Sequence, residues 1–134
     1  MPDFSAQFPA NRFLVALRDT HGAETPVGGF SEADGLPRKL QGIRKFGNIT
    51  LKRGYVSTHA FENWMNTVRS GGVAQRPDVI LTQRDESNRP VAVWRLNHGV
   101  PLKYTGPTLG AKGNDVAMEE LVLSGEGVEL IPPK

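Results

Sequence analysis

The apolar residues of this chain come in short bursts, and only one stretch spaces them at the period of a helix. The burst Phe13-Leu14-Val15-Ala16-Leu17, held between Arg12 and Arg18, is apolar on both faces and reads as a strand covered from two sides. Asn48-Ile49-Thr50-Leu51-Lys52-Arg53 alternates polar and apolar, which turns Ile49 and Leu51 toward a core. Residues 78–84 and 91–96 make two more strands, joined by the polar hairpin segment Asp85-Glu86-Ser87-Asn88-Arg89-Pro90. Residues 27–34 form a weaker strand, where Gly28 and Gly29 signal a bulge or a close backbone approach. Residues 100–104 are short and extended. Residues 116–124 form the last strong strand, and residues 125–130 continue it past a bend. A turn at Asp19-Thr20-His21-Gly22, loops over 35–42 and 106–113, and a terminal Pro132-Pro133 punctuate these runs.

The exception is the segment after Ser57. Phe61, Trp64, Met65 and Val68 fall at i, i+3, i+4 and i+7, one apolar stripe of a helix. Ser57 or Thr58 can cap its start, Arg69 sits in its last turn, and Gly71-Gly72 ends it. About a dozen residues is marginal for an isolated helix, so packing on a sheet must stabilise it. The stripe is accounted for by core packing.

The count is six or seven strands and one helix in a single domain over residues 1–134. With 15 Gly and 10 Pro among 134 residues, the chain is too rich in turn formers for a helical bundle. Short strands with regular turn signals point to a mainly β fold, a β-sandwich or barrel-like body with one flanking α-helix. The absence of cysteine excludes a disulfide framework, zinc–thiolate sites and cysteine nucleophiles. No apolar run approaches the roughly 18 residues of a transmembrane helix. Residues 1–11 have neither a basic start nor an apolar stretch, so no signal peptide is expected, and assembly in the cytoplasm is.

Few residues suggest chemistry. His59 and Glu62 share a helix face, but the His-Glu-x-x-His pattern of zinc proteases is missing. The stretch Gly106-Pro107-Thr108-Leu109-Gly110-Ala111-Lys112-Gly113 has its glycines and lysine misplaced for a phosphate loop, and a strand follows it rather than a helix. Glu119 and Glu120 are adjacent on a strand and point to opposite faces, poor geometry for paired acid–base carboxylates. No serine lies in a Gly-x-Ser-x-Gly elbow. No catalytic, cofactor or metal site is expected.

Charge is informative through its distribution. The net charge is only +2. Yet residues 36–55 carry Arg38, Lys39, Arg44, Lys45, Lys52 and Arg53 with no acid, and residues 113–130 carry Asp115, Glu119, Glu120, Glu126 and Glu129 with no base. Such a chain can fold its charges back on itself or present them to neighbouring copies. Phe46 and Tyr55 beside the basic segment also allow a nucleic-acid-binding β-barrel, though two aromatics and a small excess charge are thin support for it.

Taken in order, the residues resemble the tail tube proteins of contractile phages and phage-derived injection systems. Asn11-Arg12-Phe13-Leu14-Val15 is similar to the opening strand of that family. Gly29-Phe30-Ser31-Glu32-Ala33-Asp34-Gly35-Leu36 resembles its Gly-Phe-x-Glu-Val-x-Gly-Leu segment. Arg38-Lys39-Leu40-Gln41-Gly42-Ile43 and then Asn48-Ile49-Thr50-Leu51-Lys52-Arg53-Gly54 resemble its most distinctive stretch. Trp64 falls at the family's helix Trp. Val100-Pro101-Leu102-Lys103-Tyr104 is similar to its Pro-x-Lys-Trp/Tyr element, and Val116-Ala117-Met118-Glu119-Glu120-Leu121-Val122-Leu123 to its closing strand. One departure stands out: Gly35-Leu36 runs directly into Pro37-Arg38-Lys39, where the family carries a longer hairpin arm.

The resemblance implies a structural protein, not an enzyme, with no cofactor. It implies homohexameric rings stacked into a tube around a lumen. The implied partners are a sheath protein, a baseplate or tube initiator and a tape-measure protein, with DNA or toxin cargo in the lumen, and no membrane. The missing arm leaves room for a tube-end role, as initiator or terminator. A head-to-tail contact needs two complementary surfaces. The expected pairs bring Arg44, Lys45, Lys52 or Arg53 against Glu119, Glu120, Glu126 or Glu129 of another copy.

Overall fold

A computed structural model of the protein describes residues 12–36, 48–72, 76–87, 89–106 and 115–131. They form eight strands and one helix: β1 (Phe13–Arg18), β2 (Glu24–Asp34), β3 (Asn48–Ser57), α1 (Thr58–Ser70), β4 (Asp78–Arg84), β5 (Pro90–Asn97), β6 (Val100–Thr105), β7 (Asp115–Ser124) and β8 (Gly127–Ile131). All strands belong to one sheet in the order β6-β7-β3-β2-β1-β4-β5-β8, and every pairing is antiparallel.

Two short connections require this sheet to fold over. β5 and β6 are separated by only His98-Gly99, and β7 and β8 by Gly125-Glu126. Each link takes three Cα steps and reaches about 11 Å at most. In a flat sheet the joined strands, six places apart in the order, would lie about 29 Å apart.

The fold line is visible in the burial pattern. On β3, Ile49, Leu51 and Val56 are buried, while Lys52 and the following Arg53 both face out. On β7, Met118, Leu121 and Leu123 are buried, with Glu119 and Glu120 between them turned outward. On β2, Phe30 is buried and Ala33 packs on the core, while Ser31 and Glu32 are exposed. These positions line up across the sheet, since Glu32 pairs with Lys52 and Lys52 with Glu120. Side chains alternate strictly along a regular strand. Two successive outward residues at one level of three adjacent strands therefore mark a crease. Arg53 makes the break with a left-handed φ of 57°.

The crease divides the sheet into two layers that share one core. The smaller layer has four strands: residues 31–34, 48–52 and 120–124, and β6. The larger runs from β8 through β5, β4 and β1 to residues 24–30, 54–57 and 115–118. Ile49, Leu51, Leu121 and Leu123 of the smaller layer face Phe13, Val15, Leu81, Trp94 and Leu96 of the larger within one buried cluster. At the bend, a Cβ on Gly54 would sit 2.0 Å from the Gly29 carbonyl oxygen and 2.6 Å from the Phe30 ring. Only glycine lets Phe30 cover that point of the sheet.

Helix α1 follows β3 without a loop. Ser57 caps it by accepting from the Ala60 N–H, and the Gly71 N–H closes it on the Thr67 carbonyl. Ala60, Phe61 and Trp64 are buried, with Met65 and Val68 packed at the margin. Trp64 Nε1 donates to the Gly99 carbonyl at 3.1 Å, which ties the helix to the β5–β6 turn. Phe61 meets Trp64 and Tyr104 edge to face, with ring centroids 5.9 and 5.4 Å apart.

The mainly β body with a flanking helix matches the sequence expectation. Among the described residues the strands number eight rather than about six or seven. Residues 125–130 do not continue β7, because at Gly125-Glu126 the chain crosses layers and becomes a separate edge strand. β2 also begins earlier, at Glu24, since pairing with β1 recruits residues 24–26. The bulge foreseen near Gly28 falls beside it, where Val15 pairs with Gly28 and Ala16 with Pro26, leaving Val27 as the extra residue.

Candidate assembly interface

The charged crease is the most distinctive surface among the described residues. Glu32, Lys52, Arg53, Thr105, Glu119 and Glu120 line an open depression of about 560 Å³. Within it, Arg53 Nε lies 3.5 Å from Glu32 Oε2, and Lys52 Nζ lies 3.9 Å from Asp34 Oδ2. All four side chains are well exposed, so each pair contributes about 0–1 kcal/mol. The polarised charge of the sequence is thus folded together here: Lys52 and Arg53 stand level with Glu120 and Glu119 of the same chain.

The other expected charges lie elsewhere. Glu129 on β8 pairs with Arg95 of the neighbouring β5. Glu126, in the β7–β8 turn, accepts from or pairs with His98 Nδ1 at 2.8 Å, which clasps the two layer-crossing turns to each other. The His98 N–H also donates to Asp78 Oδ1 at 3.1 Å. Arg44 and Lys45 lie outside the described residues, as do the basic loop over 37–47 and the Gly-rich segment over 107–114.

Strand edges were not legible in the charge pattern. β6 pairs only with β7, and β8 only with β5, among the described residues. A third edge sits inside β2: β1 pairs with residues 24–30, so among the described residues 31–34 have β3 on one side alone. Proline inside a strand is tolerated at an edge, so Pro101 was the available signal for β6. The pairing of β6 with β7 shifts register between Pro101 and Lys103, leaving Leu102 bulged and exposed. Proline, a bulge and a lysine are devices that keep an edge from pairing indiscriminately.

Among the described residues no cluster of His, Asp and Glu is arranged to hold a metal, and no helix is long and apolar enough to cross a membrane. His59 is exposed and meets Asn63 rather than Glu62.

Comparison with known proteins identifies the architecture. The sequence profile of the T4-like virus tail tube protein gp19 family matches residues 10–129. Sequence comparison with curated proteins returned no match. Among solved structures, the chain is similar to the tube-terminating cap of the anti-feeding prophage, with TM-score 0.54 and 21% identity over 94% of this chain and 91% of that one. It is similar to a chain of the sheath–tube complex of an extracellular contractile injection system, with TM-score 0.53 and 20% identity over 94% and 92% of the two chains. A chain of the sheath/tube terminator from such a system gives TM-score 0.52 and 19% identity over 92% and 96%. These likenesses confirm the fold.

Proposed function

Because this chain belongs to the T4-like virus tail tube protein family, we propose that it builds the inner tube of a contractile phage tail or phage-derived injection particle. Six copies form a ring, and rings stack around a lumen. A sheath protein surrounds the tube, a baseplate or initiator starts it, and a tape-measure protein and then DNA or toxin cargo occupy the bore. The particle is assembled in the cytoplasm. The observation that carries this reading is the family match over residues 10–129.

The charged residues set register between copies. Arg44, Lys45, Lys52 or Arg53 of one copy meets Glu119, Glu120, Glu126 or Glu129 of another. Exposed pairs decide partner choice, while buried apolar area supplies most of the affinity. One observation favours a second reading, a ring at the end of the tube: the direct run from Gly35-Leu36 into Pro37-Arg38-Lys39 omits the arm that resembles a contact between stacked rings.

Electron microscopy of the purified protein, alone and with its sheath and baseplate partners, tests both. Long tubes of uniform bore support the repeated tube subunit. Single rings found only at tube ends support the terminal role. A monomer that never assembles but binds single-stranded nucleic acid with steep salt dependence overturns both in favour of a nucleic-acid-binding barrel.

A further inference from the structure

We infer that the crease of one copy receives the β4–β5 hairpin of a second copy, with Glu86 of that hairpin set against Arg53. The inference rests on the tube reading above and adds the surface that fits the crease. Its starting point is the backbone of Arg53. Among the described residues Gly22, Gly35, His98 and Arg53 have a positive φ. Glycine adopts this backbone freely, whereas a side chain is strained in it. His98 is held there by its own chain, through its N–H to Asp78 and its ring to Glu126. Arg53 has no such support. Its side chain is 81% exposed, and the nearest acid, Glu32, lies 3.5 Å from Nε, longer than a good hydrogen bond. Glu119 stands opposite on β7, since Lys52 pairs with Glu120 and Gly54 with Met118, yet the two form no ion pair. A guanidinium fork held out in water from a strained backbone is set for a carboxylate of another molecule.

Strand register places hairpin and crease at one level on opposite flanks. Gln83, Phe13, Phe30, Gly54 and Met118 form one row across β4, β1, β2, β3 and β7. Two residues further along, β4 has reached Asp85, and the other flank has reached Glu32, Lys52 and Glu120. β4 and β3 are three places apart in the sheet, about 14 Å, so hairpin and crease of one chain do not meet. Copies set side by side in one orientation bring the hairpin flank of one to the crease flank of the next without a change of height. The two surfaces differ, so the contact is head-to-tail, the kind that can close into a ring.

Shape and charge agree. The crease is an open depression of about 560 Å³, and the hairpin is a projection whose Asp85, Glu86, Ser87 and Arg89 are exposed. Asp85 is engaged in holding the turn through the N–H groups of Ser87 and Arg89, so the tip is organised before it docks. Glu86 has no partner among the described residues. On docking it faces Arg53, and Arg89 faces Glu119 or Glu120. A nucleic acid does not suit this depression, because Glu32, Glu119 and Glu120 line it beside Lys52 and Arg53. A partner surface carrying both signs does.

A charge-reversal cycle tests the contact. At low salt, R53E and E86R should each raise the concentration needed for half the protein to sediment at least tenfold. R53E/E86R should return it to within threefold of the parent. The urea midpoint of the free protein should show no such coupling, because the residues do not meet within one chain. R53G removes strain and guanidinium together; it should unfold at no lower urea concentration than the parent, yet assemble at least tenfold more weakly. Particles in which the R53E and E86R effects simply add, coupling already present in the free protein, a lower midpoint for R53G, or R53G assembling like the parent overturns this contact while leaving the tube reading intact. Failure of the parent to assemble under any condition removes the tube reading and this contact with it.

Discussion

Glycine 54 shows how much a single missing Cβ decides. It stands next to Arg53, whose left-handed backbone makes the bend, and its own bare Cα admits the Phe30 ring. Gly54→Ala forces a methyl group into backbone at 2.0 Å, and no flexible side chain is there to yield. The variant should lose about 1–3 kcal/mol, as overpacking of a filled core does, read as a lower urea midpoint with an unchanged slope. A midpoint equal to the parent's removes the crease as a tightly packed point. The sequence hid this residue for a physical reason. Period-two reading assumes that a strand keeps one face toward the core, and at Lys52-Arg53 β3 changes parity. The alternation of Ile49 and Leu51 was legible, but the strand seemed to stop at Arg53 when it continues to Ser57. Trp64 was legible as core, whereas its bond to the Gly99 carbonyl depends on a turn 35 residues away.

Among the elements, the β4–β5 hairpin is held by one carboxylate. Asp85 Oδ1 accepts from the N–H groups of Arg89 at 2.9 Å and Ser87 at 2.8 Å, and the Asp85 N–H donates to the Arg89 carbonyl. The backbone N–H of Arg89 first, then that of Ser87 and the Arg89 charge, hold the Asp85 carboxyl below its usual range. A depressed carboxylate pKa stabilises the fold above the unfolded value, near 3.9, and that contribution disappears as pH falls through the folded value. Asp85→Ala should therefore melt below the parent at pH 6, with the gap shrinking toward pH 3; a constant gap disproves the ionic origin. Asp85→Asn, which keeps an acceptor, should lose less. This hairpin was legible as a polar turn, because turn chemistry is local. β8 was not, since its separation from β7 follows from pairing with β5. The edges of β2 and β6 escaped for the same reason: being an edge is a property of the neighbours a strand lacks.

For the whole molecule, the order of motifs along the chain carried family and fold class, while the neighbourhood of the charges came only from the folded sheet. Lys52 and Glu120 are 68 positions apart in sequence and register partners in space. If crease charges steer contacts between copies, K52E/R53E should abolish assembly at low salt, and adding E119K/E120K should restore it, both scored by sedimentation and microscopy. Since exposed pairs contribute about 0–1 kcal/mol each, the melting temperature of the free protein should barely move. Assembly unchanged by K52E/R53E at low and high salt discards the idea. The crease has one more consequence. β2, β3 and β7 each pass unbroken from one layer into the other, so three strand backbones join the two layers in addition to the two layer-crossing turns and the packed side chains. A shearing force applied to one layer is then carried partly along chain bonds, and sliding one layer over the other must first disrupt the strand pairing at the crease. That continuity suits the proposed tube, whose wall must transmit an axial push.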